Sequence, residues 1–300
     1  MSARAATDMR LRIPPIFTLL ALTLAACGSS APGTAPGGAI AVPPPGTGQE
    51  PKWTLTWSDE FDGALGAPPD GAKWVADTGG GGWGNREREY YTPGAENAAL
   101  DGAGHLVITA RVEPPGSSRR CWYGACLYTS ARLKTSGRLE TTYGRFEARI
   151  TIPRGQGLWP AFWLLGANIA TAGWPACGEI DIMENVGREP DVVHGTIHGP
   201  GYAGDRGITA SYSLSTIPFA DDFHVFAVEW TPGLVRWLVD EHEYRRRTPT
   251  DLPSGATWVF EHPFFILLNV AVGGAWPGDP DASTIFPQQM VVDYVRLYRE

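Results

Sequence analysis

The chain has 300 residues, 12 of them tryptophan, and a formal net charge of -8 at pH 7. No basic stripe of the kind that binds nucleic acid accompanies this acidic balance, so we predict no nucleic-acid partner. The length and the lack of a second linker-like stretch fit one folded domain better than two.

The N-terminal segment has the features of a bacterial export signal. Three arginines precede an apolar run at residues 13–26, and this run is too short to cross a bilayer comfortably. The run ends in Leu24-Ala25-Ala26 before Cys27, which resembles the lipobox at which bacterial lipoproteins are cleaved and lipidated. We predict that Cys27 carries lipid and anchors the protein on the extracellular side of a bacterial membrane. An ordinary secretory peptide with an incidental cysteine is the alternative.

A stretch without any hydrophobic pattern follows the cysteine. Residues 28–49 are almost wholly Gly, Ala, Pro, Ser and Thr, which is typical of a flexible tether. We therefore divide the chain into a signal peptide at residues 1–26, a tether at residues 27–51 and a folded domain at residues 52–300. Cleavage of the signal peptide removes a net charge of +2 and leaves the mature chain near -10.

Alternation of apolar and polar residues recurs through the folded domain. It predicts strands at residues 105–112, 143–152, 179–184, 192–198, 223–230, 235–239, 264–272 and 290–298. The sequence Thr231-Pro232-Gly233 predicts a hairpin turn, and only residues 251–262 leave room for a short helix. Many short strands in one domain predict an all-β fold, an antiparallel two-sheet sandwich of the jelly-roll type.

Several tryptophans stand beside glycine or proline, where core packing alone does not favour them. These are Trp83, Trp159, Trp174 and Trp276. Aromatic faces beside polar groups suit ligands such as sugar rings, although core packing is an equal alternative for any single tryptophan. Trp159 and Trp163 are four residues apart, so a strand there sends both to one face.

Three cysteines follow Cys27 in the folded domain. Cys121 and Cys126 bracket a short turn and could form a disulfide in an oxidising compartment, which would leave Cys177 unpaired. Three reduced, buried thiols are the alternative.

An acidic cluster within a strand-like segment indicates catalysis. Glu179, Asp181 and Glu184 fall within six residues, and unpaired carboxylates are costly to bury in a structural strand. Strict alternation puts Glu184 on the face opposite the other two. One extra residue around Ile182 and Met183, a β-bulge, would return Glu184 to the acidic face, and bulges are common beside active sites. A solvated edge strand is the alternative, but it leaves the apolar residues between the acids unexplained.

The spacing of the two glutamates favours one type of glycoside cleavage. With the bulge, the carboxyls of Glu179 and Glu184 can approach to about 5–6 Å, the separation of a retaining glycosidase. Asp181 between them raises the pKa of a neighbouring carboxyl, which helps one glutamate to remain protonated as an acid.

The segment from Glu179 to Glu184 resembles the bulged E-x-D-x-x-E signature of glycoside hydrolase family 16, which laminarinases share. Further segments resemble laminarinase blocks in the same order, at residues 82–85, 87, 90–92, 128–133, 143–147, 159–163, 196–199 and 292–298. The resemblance runs from about Trp53 to the C terminus. It implies a concanavalin A-like β-jelly roll with a concave cleft, and endo-hydrolysis of β-1,3-glucan with retention of configuration.

The resemblance also implies roles for individual residues. Glu179 is the implied nucleophile, Asp181 its electrostatic assistant and Glu184 the acid/base. The implied sugar contacts come from Asn85, Arg145, Trp159, Trp163, Trp174 and His198. No cofactor is expected for catalysis.

A structural calcium ion is implied at the sheet edge, far from the cleft. Its ligands would come from Glu60, the Gly104 backbone and Asp293, since hard oxygen ligands suit this ion. A salt-bridged structural pair of Glu60 and Asp293 would look the same in sequence.

The chain departs from many laminarinases at Arg86, Arg88 and Glu89, which make the loop beside the cleft more charged, and in the segment from Cys121 to Cys126. Other functions remain open: a β-1,3-1,4-glucanase, a transglycosylase, or a non-catalytic β-glucan-binding protein, which would not need the glutamates. A metal centre at the three carboxylates is disfavoured because no His or Cys joins the motif. We expect a monomer whose partner is a β-glucan polysaccharide.

Overall fold

A computed structural model describes residues 52–215 and 217–300. These residues fall within one compact unit, Glu50–Glu300. The predicted signal peptide, the tether and Cys27 lie outside the described residues. Within the described part of the chain, no helix is long and apolar enough to span a membrane.

Nearly all regular structure is β. In chain order the strands are β1 (Thr54–Asp59), β2 (Val75–Ala76), β3 (Glu89–Tyr91), β4 (Ala98–Leu100), β5 (Leu106–Val112), β6 (Arg120–Cys121), β7 (Gly124–Ala125), β8 (Tyr128–Ser130), β9 (Arg132–Lys134), β10 (Gly144–Thr151), β11 (Leu158–Gly166), β12 (Glu179–Glu184), β13 (Val192–His198), β14 (Ile208–Ser213), β15 (His224–Thr231), β16 (Leu234–Val239), β17 (His242–Arg247), β18 (Phe264–Val272) and β19 (Gln288–Arg299). Within residues 52–215 and 217–300 the helices are α1 (Ile169–Ala172) and two short 3-10 helices, Gly204–Arg206 and Pro249–Asp251.

The strands form two large sheets and a small hairpin. The ten-stranded sheet has the order β17-β16-β15-β10-β19-β5-β8-β3, with β1 added on β19 and β4 on β5. The seven-stranded sheet has the order β14-β13-β12-β11-β18-β9-β2, and β6 pairs with β7. Among the described strands only β3 and β8 pair in parallel. This is the predicted two-sheet antiparallel jelly-roll sandwich.

The core lies between the two sheets. Strand β18 sits inside the seven-stranded sheet and is buried along its whole length, which explains its near-continuous apolar sequence. Trp230 and Trp237 of the ten-stranded sheet are also buried, each with its indole N–H bonded to a backbone oxygen. The satisfied N–H groups allow these large rings to contribute their full apolar area to the core.

The alternation pattern located the strands well, and the helix prediction was wrong. Each of the eight predicted strands corresponds to an observed one with ends shifted by at most two residues. The predicted turn joins β15 to β16, with Gly233 at a φ of 67°. The predicted helix at residues 251–262 is irregular after the 3-10 turn Pro249–Asp251, because Pro253 and Gly255 oppose helix formation.

The cysteines follow the first of the two sequence interpretations. Cys121 and Cys126 are joined in a disulfide that closes the β6–β7 hairpin. Cys177 is a free, buried thiol, and burial raises its pKa to about 11. Cys177 is therefore an inert packing residue.

Candidate active site

The predicted bulge is present in β12. The pairing of β12 with both neighbouring strands shifts between Asp181 and Glu184. Consecutive residues of β11 lie opposite Asp181 and Met183, so Ile182 is the extra residue. Ile182 and Met183 both enter the core, and Glu184 returns to the groove that Glu179 and Asp181 line.

A residue of the ten-stranded sheet holds the bulge in place from the core side. The indole N–H of Trp237 donates a hydrogen bond of 2.7 Å to the backbone oxygen of Asp181. Gly195 on β13 leaves room for this ring, because a Cβ there would lie 2.4 Å from Trp237 Cδ1. The bulge therefore depends on a core tryptophan and a glycine that the acidic motif does not contain.

A groove of about 380 Å³ lies on the face of the seven-stranded sheet that carries the acids. Strand β11 contributes Trp159 and Trp163 to one face, as predicted from their spacing, and β18 contributes Asn269. The remaining lining residues are Trp83, Gly84, Asn85, Glu87, Arg132, Ala161, Leu165, Ile169, Trp174, Gly204 and Ala271. The groove thus has aromatic walls around a carboxylate floor.

Each glutamate has its own tryptophan partner. The indole N–H of Trp174 donates to Glu179 Oε2 at 3.0 Å, and that of Trp159 donates to Glu184 Oε1 at 2.9 Å. His198 Nε2 lies 3.2 Å from Asp181 Oδ2 and 3.7 Å from Glu179 Oε1. Asp181 Oδ2 accepts no hydrogen bond from the described residues. Trp174 and His198 therefore belong to the Glu179 end and Trp159 to the Glu184 end.

Burial disfavours the ionised form of all three carboxyls. It raises the pKa of Glu179 to about 8, with a further contribution from Asp181, and the pKa of Asp181 to about 8. The pKa of Glu184 is raised well above its usual range by burial and then by Asp181 and Glu179. Because burial raises the pKa of all three carboxyls and Asp181 opposes ionisation of both glutamates, the site retains protons at neutral pH. His198 and Trp174 oppose the shift at Glu179, and this residue is also the least buried of the three.

A chain of hydrogen bonds behind the groove positions two lining residues. Asn85 Nδ2 and the Tyr91 hydroxyl donate to the two oxygens of Glu87, at 3.0 and 2.9 Å. Tyr91 in turn accepts from Asn269 Nδ2 at 3.2 Å, and Asn269 Oδ1 accepts from Trp163 Nε1 at 2.8 Å. The relative positions of Asn85 and Trp163 are therefore fixed before any ligand binds.

The sequence profile of Glycosyl hydrolases family 16 matches residues 87–296 of the chain. The chain belongs to this family. The acidic cluster, the bulge and the aromatic groove described above thus lie in a glycoside hydrolase.

Similar proteins share most of this enzyme's length. A β-glucanase from Rhodothermus marinus is 47% identical over 259 residues, which cover 83% of this chain and 86% of the relative. The structure of an endo-β-1,3-glucanase from Pyrococcus furiosus has 49% identity and a TM-score of 0.76, covering 82% of this chain and 94% of the other. A non-specific endo-β-1,3(4)-glucanase with 1,3-β-D-cellobiosyl-glucose at its active site has 37% identity and a TM-score of 0.74, over 83% and 95% of the chains.

The structure does not bring Arg145 to the groove of this family 16 enzyme, so that prediction is corrected. Arg145 lies on β10 in the ten-stranded sheet, with its guanidinium 2.9 Å from Glu147 and 3.1 Å from Glu229. Its side chain is only 7% exposed. The arginine that lines the groove is Arg132 of β9, whose guanidinium lies 4.8 Å from the ring centre of Trp163.

Sequence reasoning assigned no role to three polar residues that line the groove. These are Glu87, Arg132 and Asn269. Glu87 and Arg132 stand in segments that resemble laminarinase blocks, so position within such a block was the available signal. Asn269 had none beyond being a polar residue in the apolar strand β18.

The residues proposed to bind calcium have arginine partners. Glu60 accepts two bonds from Arg296, at 3.0 and 2.8 Å, and Asp293 pairs with Arg149 at 2.6 Å. The two carboxylates therefore do not pair with one another, nor do they converge as side chains on one point. The backbone oxygen of Glu60 and Asp62 Oδ1 each lie 4.0 Å from the position of a Cβ on Gly104.

Proposed function

We propose that this family 16 enzyme hydrolyses internal β-1,3 bonds of laminarin-type glucan with retention of configuration. The observation that carries the proposal is the β12 bulge, which gives Glu179, Asp181 and Glu184 one common groove. Relatives named β-glucanase and endo-β-1,3-glucanase, at 47% and 49% identity, support the linkage. Tryptophans at both ends of the acidic row suit a chain that continues on both sides of the broken bond.

The first half of the reaction uses the glutamates in opposite protonation states. Glu184 keeps its proton because burial and the neighbouring carboxyls raise its pKa, and it gives that proton to the glycosidic oxygen. Glu179 ionises more readily than Glu184, since it is the less buried of the two and His198 Nε2 lies 3.7 Å from its Oε1. Its carboxylate attacks the anomeric carbon and forms a covalent glycosyl-enzyme as the bond to oxygen breaks.

The second half reverses the roles. Glu184, now ionised, accepts a proton from water, and the water oxygen attacks the anomeric carbon and releases Glu179. Asp181 lies between the two in sequence and next to His198, and its charge opposes ionisation of Glu184. Asp181 therefore helps Glu184 to recover its proton at the end of the cycle. Side chains and water supply every proton, so we propose that no cofactor takes part.

Product stereochemistry and azide rescue test this assignment. Proton NMR of fresh laminarin digests should show the β-anomer first. Glu179→Gln and Glu184→Gln should each lose about 10²–10⁴-fold in kcat while keeping the native fold, as judged by circular dichroism. Azide should rescue Glu179→Gly with an inverted product and Glu184→Gly with a retained one. Near-normal turnover of either Gln variant, or an α-anomer from the wild type, would refute the assignment.

Two alternative activities would use the same catalytic groove. The non-specific relative at 37% identity makes mixed β-1,3-1,4-glucan the second candidate substrate. A transglycosylase would pass the glycosyl group to a sugar instead of water. Reducing-sugar release from laminarin, lichenan, agarose and xyloglucan separates the substrates, and products longer than the starting oligosaccharide reveal transfer. A glucan-binding protein without catalysis would not need Glu179 and Glu184.

We also propose a calcium ion bound by the backbone oxygens of Glu60 and Gly104 with Asp293. The closeness of the Glu60 backbone oxygen to Gly104 supports it, and Asp293 would have to exchange Arg149 for the ion. Calcium should raise the melting temperature above that in EGTA, and Asp293→Asn should remove the difference. If calcium does not change the melting temperature of the wild type, Glu60 and Asp293 serve only to pair with Arg296 and Arg149.

We propose that the enzyme is a monomer held by lipid at Cys27 on the outer side of a bacterial membrane. The support is the sequence at residues 1–49, which lies outside the described residues. Secretion as an unanchored protein is the alternative.

A further inference from the structure

A second cavity, of about 350 Å³, lies on the far side of the loop that borders the catalytic groove. It is lined by Arg86, Arg88, Trp122, Gly274, Ala275, Gly278 and Asp279. The mechanism above uses none of these residues. The sequence also departs here from many laminarinases, at Arg86, Arg88 and the segment from Cys121 to Cys126.

Trp122 is exposed yet fixed in place. Its side chain stands on the β6–β7 hairpin, which the Cys121–Cys126 disulfide closes, and the residue is 43% exposed. The indole N–H donates to the backbone oxygen of Glu87 at 2.7 Å. The ring packs on Gly82, where a Cβ would lie 2.8 Å from Trp122 Cδ1. An exposed indole held this firmly is a preformed stacking surface, because little side-chain entropy remains to be lost on binding.

The two arginines of the cavity have different surroundings. Arg88 already has two partners. Its Nε lies 3.3 Å from Asp279 Oδ1, and its guanidinium lies 4.8 Å from the Tyr123 ring centre. Arg86 is exposed, lies 5.2 Å from the Trp122 ring centre and forms no ion pair with a described residue. Arg86 therefore has free N–H donors over the Trp122 ring, and Asp279 offers a carboxylate that is 57% exposed.

The wall between the two cavities is one residue thick. Gly84 and Asn85 line the groove, while the next residue, Arg86, lines the second cavity. Consecutive Cα atoms are about 3.8 Å apart, so the two spaces adjoin. Gly274 belongs to the same wall, since a Cβ there would lie 3.2 Å from the Asn85 oxygen and 3.6 Å from the Trp159 ring.

We propose that this second cavity is a distal sugar-binding site for the glucan chain whose scissile bond lies in the groove. Trp122 stacks on one sugar ring, and Arg86 and Asp279 bond to its hydroxyls. An aromatic face flanked by a donor and an acceptor fits a neutral sugar, which is apolar on its face and polar at its edge. The inference rests on the proposed function and extends it: long glucan chains bind more tightly than short ones at the Asn85 end.

Chain-length dependence of cleavage tests the site. The variants are Trp122→Ala and Arg86→Ala, with Trp122→Phe as the matched control that keeps an aromatic face. We expect kcat/KM on laminariheptaose to fall about tenfold in both Ala variants through KM, since one stacked ring has an effect of this order. Cleavage of laminaritriose should be unchanged in both Ala variants, although Trp122→Ala should lower the melting temperature because it removes the bond to the Glu87 oxygen. Trp122→Phe should stay within about twofold of wild type on both substrates.

The possible results distinguish failure of the distal sugar-binding site from failure of the proposed glucanase function. Equal losses on the triose and the heptaose would show that the hairpin only supports the groove, and an unchanged heptaose KM would show that no sugar binds there. Either result overturns the distal site and leaves the proposed function intact. Failure of the wild type to cleave either oligosaccharide would instead overturn the proposed function.

Discussion

The folded state is destabilised by ionisation of the three carboxyls in the groove, those of Glu179, Asp181 and Glu184. Each is held among apolar and aromatic neighbours, and burial is the largest cause of the raised pKa of each one. A carboxyl with a raised pKa binds its proton more tightly when folded than when unfolded. The folded protein is therefore stabilised where these groups are protonated and loses that stability as the pH rises.

This linkage gives a prediction for Glu179→Gln. The pKa of Glu179 is about 8 when folded against an ordinary value of 4.5, so its stabilising effect is complete below that ordinary value and is lost as pH rises to about 8. Gln does not titrate. Between about pH 5 and pH 8 the melting temperature of the variant should rise relative to wild type, by about 2–4 °C for each kcal/mol of stability that the Glu179 carboxyl loses.

The control for this experiment is Glu140→Gln, which alters an exposed glutamate outside the groove. Its melting curve should run parallel to that of wild type over the same pH range. If the Glu179→Gln curve is also parallel, burial is not what raises the pKa of this carboxyl.

Arg132 and Arg145 show what a single residue's sequence context cannot decide. Both stand within segments that resemble laminarinase blocks, and Arg145 alone was predicted to touch sugar. Arg132 lies on the sheet with the groove, while Arg145 lies on the other sheet among Glu147 and Glu229. The chain positions of the two arginines do not reveal which sheet each strand joins.

At the scale of elements, the β12 bulge needs support from outside its own strand. An extra residue leaves backbone groups without regular partners, and an unpaired buried carbonyl costs about 1–3 kcal/mol. Trp237 of the opposite sheet supplies a donor to the Asp181 oxygen. The acidic motif and a core tryptophan 56 residues later in the chain therefore act as one unit.

Trp237→Phe tests this unit. The variant keeps an aromatic core residue but removes the bond to Asp181, so the bulge should lose its fixed geometry. We expect kcat to fall about ten- to hundredfold, the effect of a small misplacement of catalytic groups. Trp230→Phe is the matched control, since it removes an equivalent buried bond, to the Phe260 oxygen, away from the acids. Both variants should lose similar stability; an equal fall in kcat in both would contradict a specific role for Trp237.

Strand prediction succeeded both for strands with one buried face and for strands buried on both faces. Buried and more exposed residues alternate along β5 and β19, whereas β12 and β18 are buried almost throughout. In both cases the pattern is local, so it can be read from the sequence alone. The helix predicted at residues 251–262 failed because Pro253 and Gly255 outweigh the apolar residues around them. The short helix α1 was not predicted, since none of its four residues is buried and no pattern marks it.

At the scale of the whole molecule, we propose that residues 1–49 decide where the enzyme is located. If Cys27 carries lipid, the full-length protein should sediment with membranes and Cys27→Ser should move to the soluble fraction. Cys177→Ser is the control and should remain with membranes, because this thiol is buried in the catalytic domain. Equal solubility of the wild type and Cys27→Ser would favour ordinary secretion.

The sequence by itself determined the all-β class, the bulged acidic motif and most of the tryptophans of the groove. These features are encoded locally: alternation, residue spacing and a short motif each need only neighbouring residues. The tertiary structure alone decided which arginine faces the groove, how Trp237 holds the bulge and why a second cavity adjoins Asn85. Each of these depends on contacts between strands distant in the chain, and such contacts are set by how the two sheets pack.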